Sequence, residues 1–305
     1  MKSKLKLNAM ALALGAGLVV ASAPVLAAVT WFPPVTVFQD DDIDWFIKGA
    51  GNNLAGTIEV GDSLISAIEI ANTSGAFGGG PAGFGGDELT GIAAITVTGK
   101  TPIGGGLFTF TFGPTGNLNA YLSNPVPVGV DNTTAIVAMY LDGTPDLDLT
   151  TGITNCTSLA DCISKATDGV LWQVDGFGAS VVGEDLGVDP DQYWLVIGAP
   201  DSIAAIQTLG ATQTAGFFNF GGSIMYNGTG FANESFSEQS CGLFCGGGMV
   251  DVLGSGNILG GQGLTNGAFA RSDFDFQKAV PEPATLALLG LGLLGMGASM
   301  RKRKA

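Results

Sequence analysis

Carboxylate oxygen is the donor this chain offers most densely. DDDID, Asp40 to Asp44, supplies Asp40, Asp41, Asp42 and Asp44, and DGTPDLD, Asp142 to Asp148, supplies Asp142, Asp146 and Asp148. Several hard oxygen ligands so close together suit calcium. Neither run has the Gly and Glu spacing of an EF-hand loop, and the bland alternative is a solvated acidic loop. Calcium is the one cofactor these residues bring into view. Two carboxylates across a sugar-sized cleft would also serve a glycosidase. Trp31, Trp45, Trp172 and Trp194 could stack on sugar faces, but they sit in strand-like runs that favour burial.

The sequence contains no histidine. This excludes His-based triads, H-E-x-x-H zinc sites and histidine-ligated haem or copper. GDSL, Gly61 to Leu64, resembles the nucleophile motif of GDSL esterases, with Ser63 as the attacking residue. Without a base the hydroxyl is a poor nucleophile, so the stretch reads as a turn. TGKT, Thr98 to Thr101, matches the end of a P-loop, but Ala94 replaces the first glycine and Pro102 blocks the helix that must follow. GLGLLG, Gly290 to Gly295, matches a dinucleotide fingerprint but ends ten residues before the C-terminus, without room for a βαβ unit. The chain is therefore expected not to be an enzyme.

Alternation of side chains predicts the elements that position these groups. LFTFTF sets Phe108, Phe110 and Phe112 against Thr109 and Thr111, and TIEV, AIEI, ITVT, TAIVAMYL, VLWQVD, YWLVI and SDFDFQ read as further strands. SLADCISKA reads as a short helix capped by Ser158, and DSIAAIQTLG as another, capped by Asp201 and closed by Gly210. GAFGGGPAGFGG, Gly75 to Gly86, reads as a flexible surface loop. The expected fold is mainly β: an antiparallel β-sandwich or jelly-roll-like domain with one or two short helices.

The two ends carry export signals. Lys2, Lys4 and Lys6 precede the apolar ALALGAGLVVASAPVLA, and Val25 and Ala27 suit a cleavage site, so residues 1–27 read as a signal peptide. Residues 28–278 form the exported body, and residues 279–305 a tail. In the tail Pro281, Glu282 and Pro283 break the chain before an apolar run, Ala284 to Met300, which is long enough for a short membrane helix. Arg301, Lys302, Arg303 and Lys304 then stop transfer from the cytoplasmic side.

Of the 12 basic residues three lie in the leader and four in the tail, whereas only Glu282 of the 27 acidic residues lies outside the body. A body with five basic and 26 acidic residues repels nucleic acid and anionic surfaces. Export places Cys156, Cys162, Cys241 and Cys245 where disulfides persist; three pairings are possible, and local Cys156–Cys162 and Cys241–Cys245 bonds are favoured.

The tail, from VPEP through the apolar helix to the basic cluster, resembles the PEP-CTERM sorting signal. That resemblance implies an exosortase partner, a Gram-negative host that makes exopolysaccharide, and transient anchoring by the C-terminal helix on the way to the cell surface or matrix. The expected role is structural or adhesive, in exopolysaccharide, biofilm or floc. The alternative is a carbohydrate-binding or carbohydrate-active protein that uses carboxylates and Trp.

Overall fold

The computed structural model describes residues 29–280 apart from 53, 55, 77–81, 150–153, 183–186, 188–190, 231–232, 234–235 and 246. The expected leader at 1–27, and Pro281 to Ala305 with the apolar run at 284–300 and the basic cluster at 301–304, lie outside the described residues.

Alternating sequences form long antiparallel strands. They are β1 (Val35–Ile47), β2 (Ser63–Gly75), β3 (Glu88–Gly104), β4 (Leu107–Pro114), β5 (Ala135–Asp142), β6 (Val170–Gly176), β7 (Tyr193–Pro200), β8 (Thr214–Asn227), β11 (Val252–Leu259) and β12 (Ala270–Ala279), with a small ribbon of β9 (Gln239–Ser240) and β10 (Met249–Val250). Two short helices, α1 (Leu159–Ala166) and α2 (Ile203–Thr208), interrupt them.

Where two packed sheets were expected, the ladders join ten strands into one sheet. The sheet closes on itself, because β8 also pairs with β11 and β3 with β5. The closed circuit runs β1, β2, β3, β4, β7, β8, β11, β12 and back to β1. β3 and β8 are the forks. Residues 88–93 of β3 pair with β5 and 95–104 with β4, while β8 gives residues 217–221 to β7 and 223–227 to β6. Each of the ten strands thus has a partner on both sides, which removes exposed edges.

The period of two divides two cores. Phe38, Ile68, Ile70, Phe110, Phe112, Trp194, Phe218, Phe220, Phe274 and Phe276 fill the inside of the circuit. The opposite face carries Ile43, Trp45, Ile65, Ala67, Ile92 and Tyr140, covered by Leu118, Leu147, Leu149 and α1 through Cys162 and Ala166. Burying each large apolar side chain contributes about 1.5–3 kcal/mol. Phe84, from the glycine-rich stretch, joins the inner core and pins one end of that loop.

Local expectations meet mixed outcomes. Ser158 caps α1 by accepting from the Asp161 amide. The cap of α2 is Ser202, which accepts from the Ala205 amide, and not Asp201. Asp201 is held instead by Lys100, at 2.8 Å. Leu209, in an extended conformation, ends α2 before Gly210 is reached. TIEV, Thr57 to Val60, is not a strand but part of a turn gathered by Asp62.

Candidate binding groove and acid clusters

DDDID is neither a loop nor solvated. It lies in β1, and alternation turns Asp40, Asp42 and Asp44 inward on the face of Phe38, while Ile43 and Trp45 point to the other core. Asp40, Asp42 and Asp44 are each no more than 5% exposed; only Asp41 faces outward. Ser272 on β12 donates to Asp42 and Asp44, at 3.3 Å each, and Ser66 on β2 donates a short hydrogen bond to Asp44. A small cavity of about 30 Å³, room for a water, lies beside Asp42, Asp44, Ser66 and Ser272.

Burial drives all three acids toward the neutral form. The Asp40 carboxyl is pushed well up by desolvation and then by Asp42, and Asp42 by desolvation and then by Asp44. Asp44 rises to about 6 through burial, opposed by its two serine partners. A dry interior thus favours the neutral form of each.

The seam between β1 and β12 has a gap. Paired positions run to Phe38–Phe276 and resume at Asp42–Ser272. Asp40 reaches into this gap, where its Oδ1 accepts from the Phe274 amide at 2.6 Å. Its carboxylate comes within 4.8 Å of those of Asp273 and Asp275. Burial and then Asp273 raise Asp275 to about 6. Sequence reasoning missed Asp273 and Asp275 as partners of Asp40, because more than 200 residues separate them; their alternation in SDFDFQ was the only signal.

The second run is only partly assembled. Asp142 and Asp146 converge with Glu88 of β3, their carboxylate oxygens all within 4.8 Å of one another. Asp148 is not in this group; its amide donates to Asn155. Glu88 accepts from the Asp146 and Leu147 amides at 3.2 and 3.3 Å, and Asp142 accepts from the Thr144 amide and hydroxyl. Burial first, and then the charges of Asp142 and Asp146, raise Glu88 to about 7.

An open groove of about 560 Å³ borders the seam. Val37, Tyr193, Asn219, Phe244, Asp275 and Gln277 are among its walls. Tyr193 and Phe244 stack in parallel at 6.3 Å, and Phe244 is 51% exposed. Phe244 is held by the loop that the Cys241–Cys245 disulfide closes; the other disulfide joins Cys156 to Cys162. Both pairings are the local ones.

Other sequence candidates have structural duties. Trp45, Trp172 and Trp194 are buried, and Trp31 stacks on Trp172 at 5.9 Å, so none of the four stands as an open sugar platform. The first half of GDSL, Gly61 at φ 92° and Asp62, is a turn, and Ser63 and Leu64 open β2. Its Asp62 accepts from the Gly49 and Glu59 amides, Asn52 and Lys48, which hold its carboxyl low against the opposing effect of burial. Ser63 shares a hydrogen bond with Thr96. Lys278 is fully buried, 3.5 Å from Asp175 and over the rings of Phe38, Trp172 and Phe276; desolvation lowers it to about 8.

β12 ends at Ala279, and Val280 is buried, with its amide bonded to Pro34. The folded body therefore runs directly to Pro281. Residues 279–304 match the family model of the PEP-CTERM protein-sorting motif. The tail is a PEP-CTERM sorting motif. It spans Pro281, Glu282, Pro283, the apolar run and Arg301 to Lys304, and it marks the chain for export and membrane-linked sorting with exosortase as the processing partner. No curated protein and no solved structure matches the chain. Among the described residues, no helix is long and apolar enough to cross a membrane.

Proposed function

We propose that this chain is a non-catalytic structural or adhesive protein of the cell surface or extracellular matrix, released into exopolysaccharide after exosortase acts on its tail. The PEP-CTERM motif at 279–304 carries the reading. The body adds support: it is strongly acidic, has no histidine, and buries most of the groups that sequence reasoning considered for catalysis. A closed sheet stapled by two short disulfides suits an oxidising, protease-exposed environment.

A second reading, carbohydrate binding, is favoured by the groove. Stacked, part-exposed Tyr193 and Phe244 beside Asn219 and Gln277 offer an apolar platform with amides at its rim, which is how pyranose rings are held. It places binding on the outer face and leaves catalysis aside.

The test is the intact mass and location of the protein in hosts with and without exosortase. The proposal expects a matrix form that ends near Pro281 and disappears when the enzyme is absent. A full-length, membrane-bound product in both hosts overturns it. Sedimentation of the purified protein with the host's own polysaccharide, reduced in Phe244→Ala, distinguishes glycan binding from passive residence.

A further inference from the structure

The geometry points to an isopeptide bond between Lys278 and Asp175, formed by condensation of the two side chains and tying β12 to β6. Lys278 Nζ stands 3.5 Å from Asp175 Oδ2, and the two side chains are 0% and 4% exposed. The carbon to be attacked lies one bond beyond that oxygen, so the amine needs only a small approach to reach it. A pair held this close reacts with the advantage of a high effective concentration. The rings of Phe38, Trp172 and Phe276 surround the amine, their centroids 5.4, 5.1 and 4.9 Å from Nζ. All three belong to the inner core and keep water from the pair.

Burial prepares both partners. Desolvation lowers the Lys278 amine to about 8 against the attraction of Asp175, and raises the Asp175 carboxyl against Lys278 and Gln173. Passing one proton from amine to carboxylate yields a neutral amine and a neutral acid, the forms a dry interior favours and condensation requires. Gln173 Nε2 donates to Asp175 Oδ1 at 2.5 Å, which marks Oδ1 as the oxygen that stays and takes up charge in the tetrahedral intermediate. The Nζ lone pair attacks Cγ, the bond from Cγ to Oδ2 breaks, and Oδ2 leaves as water with its own proton and one from Nζ. Amine and acid become amide and water, so no further reactant enters. Asp251 serves as the proton relay. It is 4% exposed, its charge acts on both Asp175 and Lys278, and the Ile224 amide fixes its Oδ2 at 2.9 Å. Burial raises it to about 6, which lets it exchange a proton near neutrality.

Position gives the bond its consequence. β6 and β12 are not neighbours in the sheet, so the bond makes a connection that no ladder makes. The two residues are 103 apart in sequence, whereas the disulfides span six and four. A closed loop of that length restricts the unfolded chain far more than either disulfide does. The staple sits at the end of β12, just before Pro281, and keeps that strand from peeling away while the tail is handled at the membrane. This inference does not depend on the matrix role. Lys48 and Lys100 also meet carboxylates, at 3.0 Å for Asp62 and 2.8 Å for Asp201, but their side chains are 30% and 14% exposed. At Lys100 the hydrogen bonds from Asp201 and Glu59 outweigh desolvation and keep the amine charged, so that pair does not carry the same argument.

The experiment is intact-mass and tryptic-peptide analysis, under denaturing and fully reducing conditions, of the full-length protein extracted in detergent. The K278M, D175A and D251N variants are run in parallel. The expected wild-type mass, counted from its own N-terminus, is lower than the sequence requires by one water. Trypsin then fails to cut after Lys278 and releases a branched peptide that joins the Lys278 segment to the Asp175 segment. K278M and D175A keep the full mass, and the bond forms at least about a hundredfold more slowly in D251N. A wild-type protein of full sequence mass is a plain ion pair and overturns the proposal, whether or not any variant folds. A water loss that persists in K278M, or a branch between other residues, overturns it as well. Undiminished condensation in D251N overturns the relay.

Discussion

The two acid clusters look alike in composition and differ in what satisfies them. At Glu88 each carboxylate oxygen accepts a backbone amide from the turn after β5, so the acid works as a clamp that shapes Asp146 and Leu147. At the seam Asp40 is equally buried, but only one oxygen accepts an amide, that of Phe274, and the carboxyl shares a hydrogen bond with that of Asp42. The lesson is that acid density does not define a site. A carboxylate saturated by local amides shapes its turn, whereas two buried acids that share a hydrogen bond require one of them to keep its proton.

The largest effect expected is on the clamp. Glu88→Ala leaves two amides of the turn without their acceptor and costs about 3 kcal/mol, measured by urea unfolding. If this variant is as stable as the wild type, the contrast between the clusters collapses. Next is the seam. Asp42→Ala deprives Asp40 of its hydrogen-bond partner and costs about 2 kcal/mol in the same unfolding experiment. Unchanged stability in this variant would show that the buried pair contributes nothing.

The inward acids set a pH dependence. Asp44 and Asp251 each have a folded pKa raised to about 6, above the ordinary value of 3.8. The folded state therefore holds more protons between about pH 4 and 6, so stability is greatest below pH 4 with respect to these groups and is lost as pH rises through 6. Asp44 accounts for about 3 kcal/mol of that loss. Asp44→Asn, which mimics the neutral acid, flattens this part of the profile, as thermal melts across pH 4 to 7 would reveal. A wild-type profile that instead rises over this range contradicts a dry interior. The smallest effect belongs to Asp146→Asn. It removes a charge that pushes Glu88 up, so it stabilises by about 0.5 kcal/mol at most and lowers the Glu88 titration midpoint in carboxyl NMR.

Much of the fold was legible because a period of two is a local property. LFTFTF and SDFDFQ alternate as half-buried strands must, and they are β4 and the centre of β12. α1 was legible through Ser158, since a cap needs only its own first turn. TIEV misled because it alternates too, yet Asp62, two residues beyond it, draws several amides into a turn. Asp201 misled because Lys100, a hundred residues away in sequence, claims its carboxylate and leaves capping to Ser202. At the candidate sites Asp142 and Asp146 were found, but Glu88, Asp273 and Asp275 were not. Their partners lie on strands whose register no single segment encodes.

The chain alone determined its sorting motif, its charge and its lack of histidine, and it favoured the local disulfides. Each of these is a matter of residue type and short spacing. PEP-CTERM recognition, for example, needs only a break, an apolar run and a basic cluster in order. Tertiary structure decided the direction in which DDDID points, the closure of the sheet, and which acids meet. A strand's two faces are equivalent until a partner buries one of them. In β1 that choice fell on the face with Phe38, Asp40, Asp42 and Asp44, because Ile43 and Trp45 on the other face were needed beneath α1 and its flanking loops.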